Sequence, residues 1–118
     1  MHGLPSHINL KFLENKELIQ VCVDLHELTL NFEEEISILI TSRCTLQTSD
    51  GETTDIIDYQ RAASATLKLL GAKIVEESHE NDGTLALRFS TKDTLTLFDD
   101  QSNYESYVIS HGQDMIAV

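Results

Sequence analysis

The chain has no tryptophan, one proline and two cysteines among 118 residues. Cys22 and Cys44 form no Cys-x-x-Cys pair, and no histidine stands at zinc-ligand spacing from either, which excludes a disulfide framework and a zinc finger. No apolar run approaches the roughly 20 residues that a helix needs to cross a bilayer. The opening stretch MHGLPSHINL carries neither a basic segment nor a long apolar one. No secretory signal is read there, and the expected compartment is the cytoplasm, where two thiols stay reduced. Cations are also scarce. Eight Lys and Arg face 20 Asp and Glu, for a formal net charge of −12. Self-repulsion of that size argues against DNA, RNA or an anionic membrane surface as partner, since each needs clustered Lys and Arg. It favours a basic protein, drawn in by the field.

Chemical signatures are missing too. There is no phosphate-binding glycine loop, no H-E-x-x-H and no G-x-S-x-G. The stretch FDDQSNYES offers Asp99, Asp100 and Asn103 but lacks the glycine and terminal glutamate of a calcium loop. A nucleophilic pair of Cys22 with His26 would need an orienting group and an oxyanion site, and no glycine motif supplies one. Cys44 follows Arg43, a neighbour able to lower a thiol pKa. Both cysteines read more simply as small structural residues. His2 and His7 could hold metal only adventitiously, and His26 and His79 read as loop-edge residues. The expectation is no cofactor, no metal site and no enzymatic activity.

What is present is alternation. Ile19, Val21, Val23 and Leu25 recur with a period of two, as do Leu28, Leu30 and Phe32, and then Ile36, Ile38 and Ile40. These predict a β-meander over 18–47, with RCTLQT as a short fourth strand. Ile56, Tyr59, Ala63, Leu67 and Leu70 then repeat at three and four residues, which predicts a helix over 54–70, capped by Thr53 or Thr54 and stopped at Gly71. A second meander is predicted over 72–118, with NDG as a hairpin turn and HGQD joining the last two strands. Leu28-Thr-Leu-Asn-Phe32 is written again as Leu85-Ala-Leu-Arg-Phe89. Duplication and convergence of simple hairpins both explain this. The expected fold is a single α+β domain over 1–118: two antiparallel β-meanders flanking and packing on one central helix. The sheets could face each other or join into one strongly curved sheet, and the one-sided helix stripe favours the second.

ELIQVCVDLHELTLNFEEEISILI and DGTLALRFSTKDTLTLFDDQSNYESYVIS resemble a family of small bacterial β-rich proteins. Its pattern is a Val-rich strand, L-x-L-x-F, an acidic or glycine turn and another alternating strand. A Tyr-Glu-x-aromatic motif follows later, here Tyr104-Glu105-Ser106-Tyr107. This chain has Tyr107 where that pattern often has Trp, and it lacks a glycine-rich ending. The family includes predicted immunity proteins of toxin systems, among them contact-dependent growth inhibition. The resemblance implies a non-enzymatic protein that neutralises a cognate toxin, and brings no catalytic residues.

Charge adds a mechanism to that implication. Many toxins are basic nucleases, because they bind a polyanion. Loop tips with Glu33, Glu34, Glu35, Glu76, Glu77, Glu80 and Asp82 would form one acidic rim if the meanders are arranged symmetrically. Tyr104 and Tyr107 would be aromatic anchors, while Tyr59 belongs to the helix stripe and the core. The competing reading is a small regulatory or structural β-domain that forms a homodimer through an exposed sheet edge.

Overall fold

The computed structural model describes residues 3–5, 7–56, 58–101 and 105–118, with the side chains of Gln60, Arg61 and Ala62 excepted. A 3-10 turn at Lys11–Leu13 leads into β1 (Leu18–Val23), β2 (Leu28–Phe32), β3 (Ile36–Ile40), β4 (Cys44–Gln47) and β5 (Thr53–Ile56). Helix α1 (Tyr59–Leu67) follows, then β6 (Ile74–His79), β7 (Leu85–Phe89), β8 (Thr94–Leu97), β9 (Tyr107–His111) and β10 (Asp114–Ala117). The strands form two five-stranded antiparallel sheets, ordered β1-β2-β3-β9-β10 and β5-β4-β8-β7-β6.

The fold is therefore nearly all β, and the expected α+β arrangement around a central helix is wrong. Two physical reasons stand out. The helix is short, because Thr53–Ile56 pairs with β4 as a strand instead of opening the helix. Its stripe is divided: Ile56 is buried from a strand, while Leu67 and Leu70 are 46% and 44% exposed. Meanwhile every sheet has an apolar inward face. Leu28, Leu30, Phe32, Ile36, Ile38, Ile40 and Ile109 line one sheet, and Leu46, Leu85, Leu87, Phe89, Leu95 and Leu97 line the other, all in one core cluster. The sheets bury each other, each large side chain contributing about 1.5–3 kcal/mol, and need no helix between them. Helix α1 packs instead against β1.

The two meanders exchange partners. Each half runs as three consecutive strands, then crosses and lays a hairpin against the third strand of the other half: β4 pairs with β8, and β9 with β3. The halves match in detail. Each first strand carries a register shift after its first residue, between Leu18 and Gln20 and between Ile74 and Glu76. Leu18 pairs with Phe32 as Ile74 pairs with Phe89. Left-handed residues recur at matched sites, Asn15 (φ 69°) with Gly71 (φ 85°), and Glu35 (φ 60°) with Lys92 (φ 73°). The backbone bonds are reciprocal: Leu18 N donates to Ala72 O at 2.9 Å, and Ile74 N donates to Lys16 O at 3.1 Å. An antiparallel bridge between Glu17 and Lys73 joins the halves where this internal two-fold relation has its centre. The repeated L-x-L-x-F is thus one part of a match that runs from residue 10 onward. Even the 3-10 turn packs on β6 as α1 packs on β1.

Candidate functional site

The Glu33–Glu35 turn closes β2 onto β3. Three residues suffice because Glu34 and Glu35 both take left-handed backbone, φ 62° and 60°. The Glu33 carboxylate accepts from Glu17 N at 3.1 Å, which ties the turn to the residue before β1 within the first half. Glu34 pairs with Lys16 at 3.1 Å, and the Glu35 carbonyl accepts from Gly112 N at 3.1 Å. Glu34 and Glu35 are exposed.

The second acidic group lies elsewhere. Glu80 and Asp82 sit in the β6–β7 loop, which the Tyr107 hydroxyl meets by donating to Gly83 O at 2.7 Å. Tyr107 begins β9, and His111, at its far end, pairs with Ile36 beside Glu35. Four steps of strand separate the two ends by about 13 Å. The acidic turns occupy opposite ends of the sheets and do not join into one rim. Glu76 is exposed and faces Arg88 at 3.7 Å.

Two expected contact residues are interior. Tyr107 is fully buried, with its phenol bonded inside, so it cannot anchor a partner. Tyr104 lies outside the described residues. Glu77 is only 5% exposed; its carboxylate meets His79 Nδ1 at 2.9 Å and Lys11 Nζ at 3.8 Å. Its backbone N donates to the Glu14 carboxylate at 3.2 Å, and this bond, with Lys11, holds Glu14 below the usual carboxylate range. Glu77 and His79 oppose Leu87 and Leu85, as Val21 and Val23 oppose Leu30 and Leu28. The second half has therefore exchanged two valines for a Glu–His pair. The sequence signal was hidden by the shift at Val75, which reverses the facing of every later residue in β6.

A cavity of about 390 Å³ is lined by Leu25, His26, Arg43, Tyr59 and Gln101 among others. Two of its polar side chains are bonded to backbone: the Tyr59 hydroxyl donates to Ser42 O at 2.6 Å, and Gln101 Nε2 donates to Thr41 O at 2.8 Å. Arg43 stacks on Phe98 at 4.0 Å and faces Asp100 at 3.5 Å and Asp55 at 3.8 Å. Cys22 is exposed beside Asn31, and Cys44 is buried with its thiol pushed up to about 12 by desolvation. That is the reverse of activation by Arg43. Among the described residues no three His, Cys, Asp or Glu side chains could hold a metal ion, and no helix is long and apolar enough to cross a membrane.

These features define a two-sheet β domain with internal two-fold topology and an acidic periphery. The chain belongs to the DUF6188 family, a family of unknown function, whose match covers residues 10–118. No curated protein and no solved structure matches it.

Proposed function

We propose that the chain is a non-enzymatic binding protein, an immunity protein that neutralises a basic bacterial toxin domain by direct contact. The observation that carries this reading is the distribution of charge. Asp24, Glu34, Glu35, Asp50, Glu52, Glu80, Asp82, Glu105 and Asp114 are exposed at the ends of the sheets. Twenty Asp and Glu against eight Lys and Arg leave the surface field anionic, and Lys11, Lys16, Arg43 and Arg88 are each held in an intramolecular ion pair. Such a field raises the rate of encounter with a cationic protein and selects against wrong partners.

The test is a titration with a basic toxin domain, at rising salt. Affinity should fall as ionic strength rises from about 0.05 to 0.5 M, as exposed charge pairs are screened. Reversal of charge at Glu34 and Glu35 should slow association more than it speeds dissociation. Salt-independent binding defeats the electrostatic account. Turnover of a small molecule by the isolated chain defeats the reading altogether.

A further inference from the structure

We infer that the partner docks on the outward face of the β1-β2-β3-β9-β10 sheet, and that the partner's own surface is a flat uncharged patch bordered by Lys and Arg. The inference rests on the reading of the chain as an acidic binding protein and adds where contact is made. One cross-strand row on this face runs Cys22, Thr29, Leu39, Val108, Ala117. The neighbouring row runs from Gln20 through Asn31, Ser37 and Ser110 to Met115. None of these ten positions is charged, in a chain where 24% of residues are. Met115 is 69% exposed, and Gln20, Cys22 and Ala117 are exposed as well.

The other sheet is an internal control. The two-fold relation sets Glu76 where this face has Gln20, Arg88 where it has Asn31, and Asp55 where it has Ala117. The same architecture therefore accepts charge at these places. Lack of charge on the first sheet is not imposed by the fold.

Acidic residues flank the uncharged face at both strand ends. Asp24 and Glu105 lie at one end, and Glu34, Glu35 and Asp114 at the other, all exposed. Interfaces have this anatomy, with charge depleted at the centre and polar groups at the rim. Five strands of five residues cover roughly 400 Å², about half of what a standard interface buries per partner. The acidic turns must supply the rest. That requirement decides the occupant. A second copy would bring acidic turns against acidic turns, whereas a cationic border meets them favourably.

Matched substitutions test this. Leu39→Arg places a charge at the centre of the face, and Thr96→Arg places it at the equivalent position of the other sheet. Both change net charge equally. The probe is the basic toxin domain of the salt titration, titrated at fixed salt with each folded variant. Leu39→Arg should weaken binding tenfold or more and Thr96→Arg less than twofold. If Leu39→Arg unfolds, Ser110→Arg and its counterpart Gln47→Arg serve the same comparison. Equal effects on both sheets, or none, overturn the docking face while salt-dependent binding leaves the acidic-binder reading standing. No salt-dependent binding by the unaltered chain overturns that reading and the inference with it. A dimer of the chain that Leu39→Arg dissolves puts a second copy on the face and overturns the cationic occupant.

Discussion

Phe32 and Phe89 stack with ring centroids 6.4 Å apart and planes 19° from parallel. Each ends the second strand of its half, precedes a tight turn and is buried. They are the same residue of the repeat, meeting across the core. Truncating either to alanine should cost about 3–5 kcal/mol, because the partner ring loses its face and a cavity remains. The double variant should cost less than the sum, since one contact is removed twice. Urea unfolding measures all three; strict additivity would deny that the rings touch in solution.

The Ser90–Lys92 turn repeats the Glu33–Glu35 turn, and Lys92 holds φ 73° with a side chain that disfavours it. Left-handed backbone costs an ordinary residue about 1 kcal/mol, which glycine avoids. Lys92→Gly should raise the melting temperature by about 4 °C, the shift that such a gain produces in a domain of this size. Gly71 gives the opposite sign. It holds φ 85°, and open space surrounds the place a methyl group would take, so Gly71→Ala should destabilise by a similar amount through backbone strain alone. Thermal melts of the two variants should move in opposite directions.

Asp99 is an interior acceptor that ties three segments together. Its carboxylate accepts from Gly3 N at 2.6 Å and from Ser106 Oγ at 2.7 Å. Asp99→Asn keeps one acceptor oxygen for Gly3 N and puts an amide nitrogen opposite Ser106 Oγ, so the buried serine hydroxyl loses its acceptor. The expected loss is about 1–3 kcal/mol, the cost of an unsatisfied buried polar group. Tyr107→Phe, which removes only the bond to Gly83 O, should cost about 1 kcal/mol. Chemical denaturation ranks the two; a larger loss at Tyr107 would show that Asp99 is not the hub.

Strands were legible where alternation was unbroken. Leu28–Phe32, Ile36–Ile40 and Leu85–Phe89 face the core as their period demands. The helix was overdrawn because Ile56 sits three residues before Tyr59, a spacing that a strand residue can match by accident. Threonine at 53 and 54 fits a helix cap and an edge strand equally well. The exchange of hairpins between halves left no local trace, since the pairing of Ile38 with Ile109 spans most of the chain. Tyr107 resembled an anchor, but its parity with Ile109 turns it inward. The charge excess was plain from composition. The uncharged face became visible only once the register set Thr29, Leu39 and Val108 in one row.

The two thiols should part company in reactivity and in pH response. Cys22 is exposed, whereas Cys44 faces the core from β4 and burial pushes its thiol from 9.0 up to about 12. The adjacent Arg43 does not oppose this, because its guanidinium lies over Phe98 and between Asp55 and Asp100. A thiol reagent should therefore titrate one cysteine in the native chain and the second only on unfolding. Burial, and then the carboxylates of Asp99 and Asp82, likewise raise the Tyr107 phenol. Both groups stay protonated in the fold at pH values where the unfolded chain ionises them. Their contribution is whole below about pH 9 and is lost as pH climbs, for Cys44 across the window from 9.0 to about 12. Each group lowers stability by about 1.4 kcal/mol per pH unit within its window. Between about pH 9 and 10 the thiol of the unfolded chain ionises ahead of its tyrosines, so Cys44→Ala should reduce the slope there, whatever its effect on absolute stability. An unchanged slope in urea melts across that interval would mean that the Cys44 thiol is reached by water in the native protein.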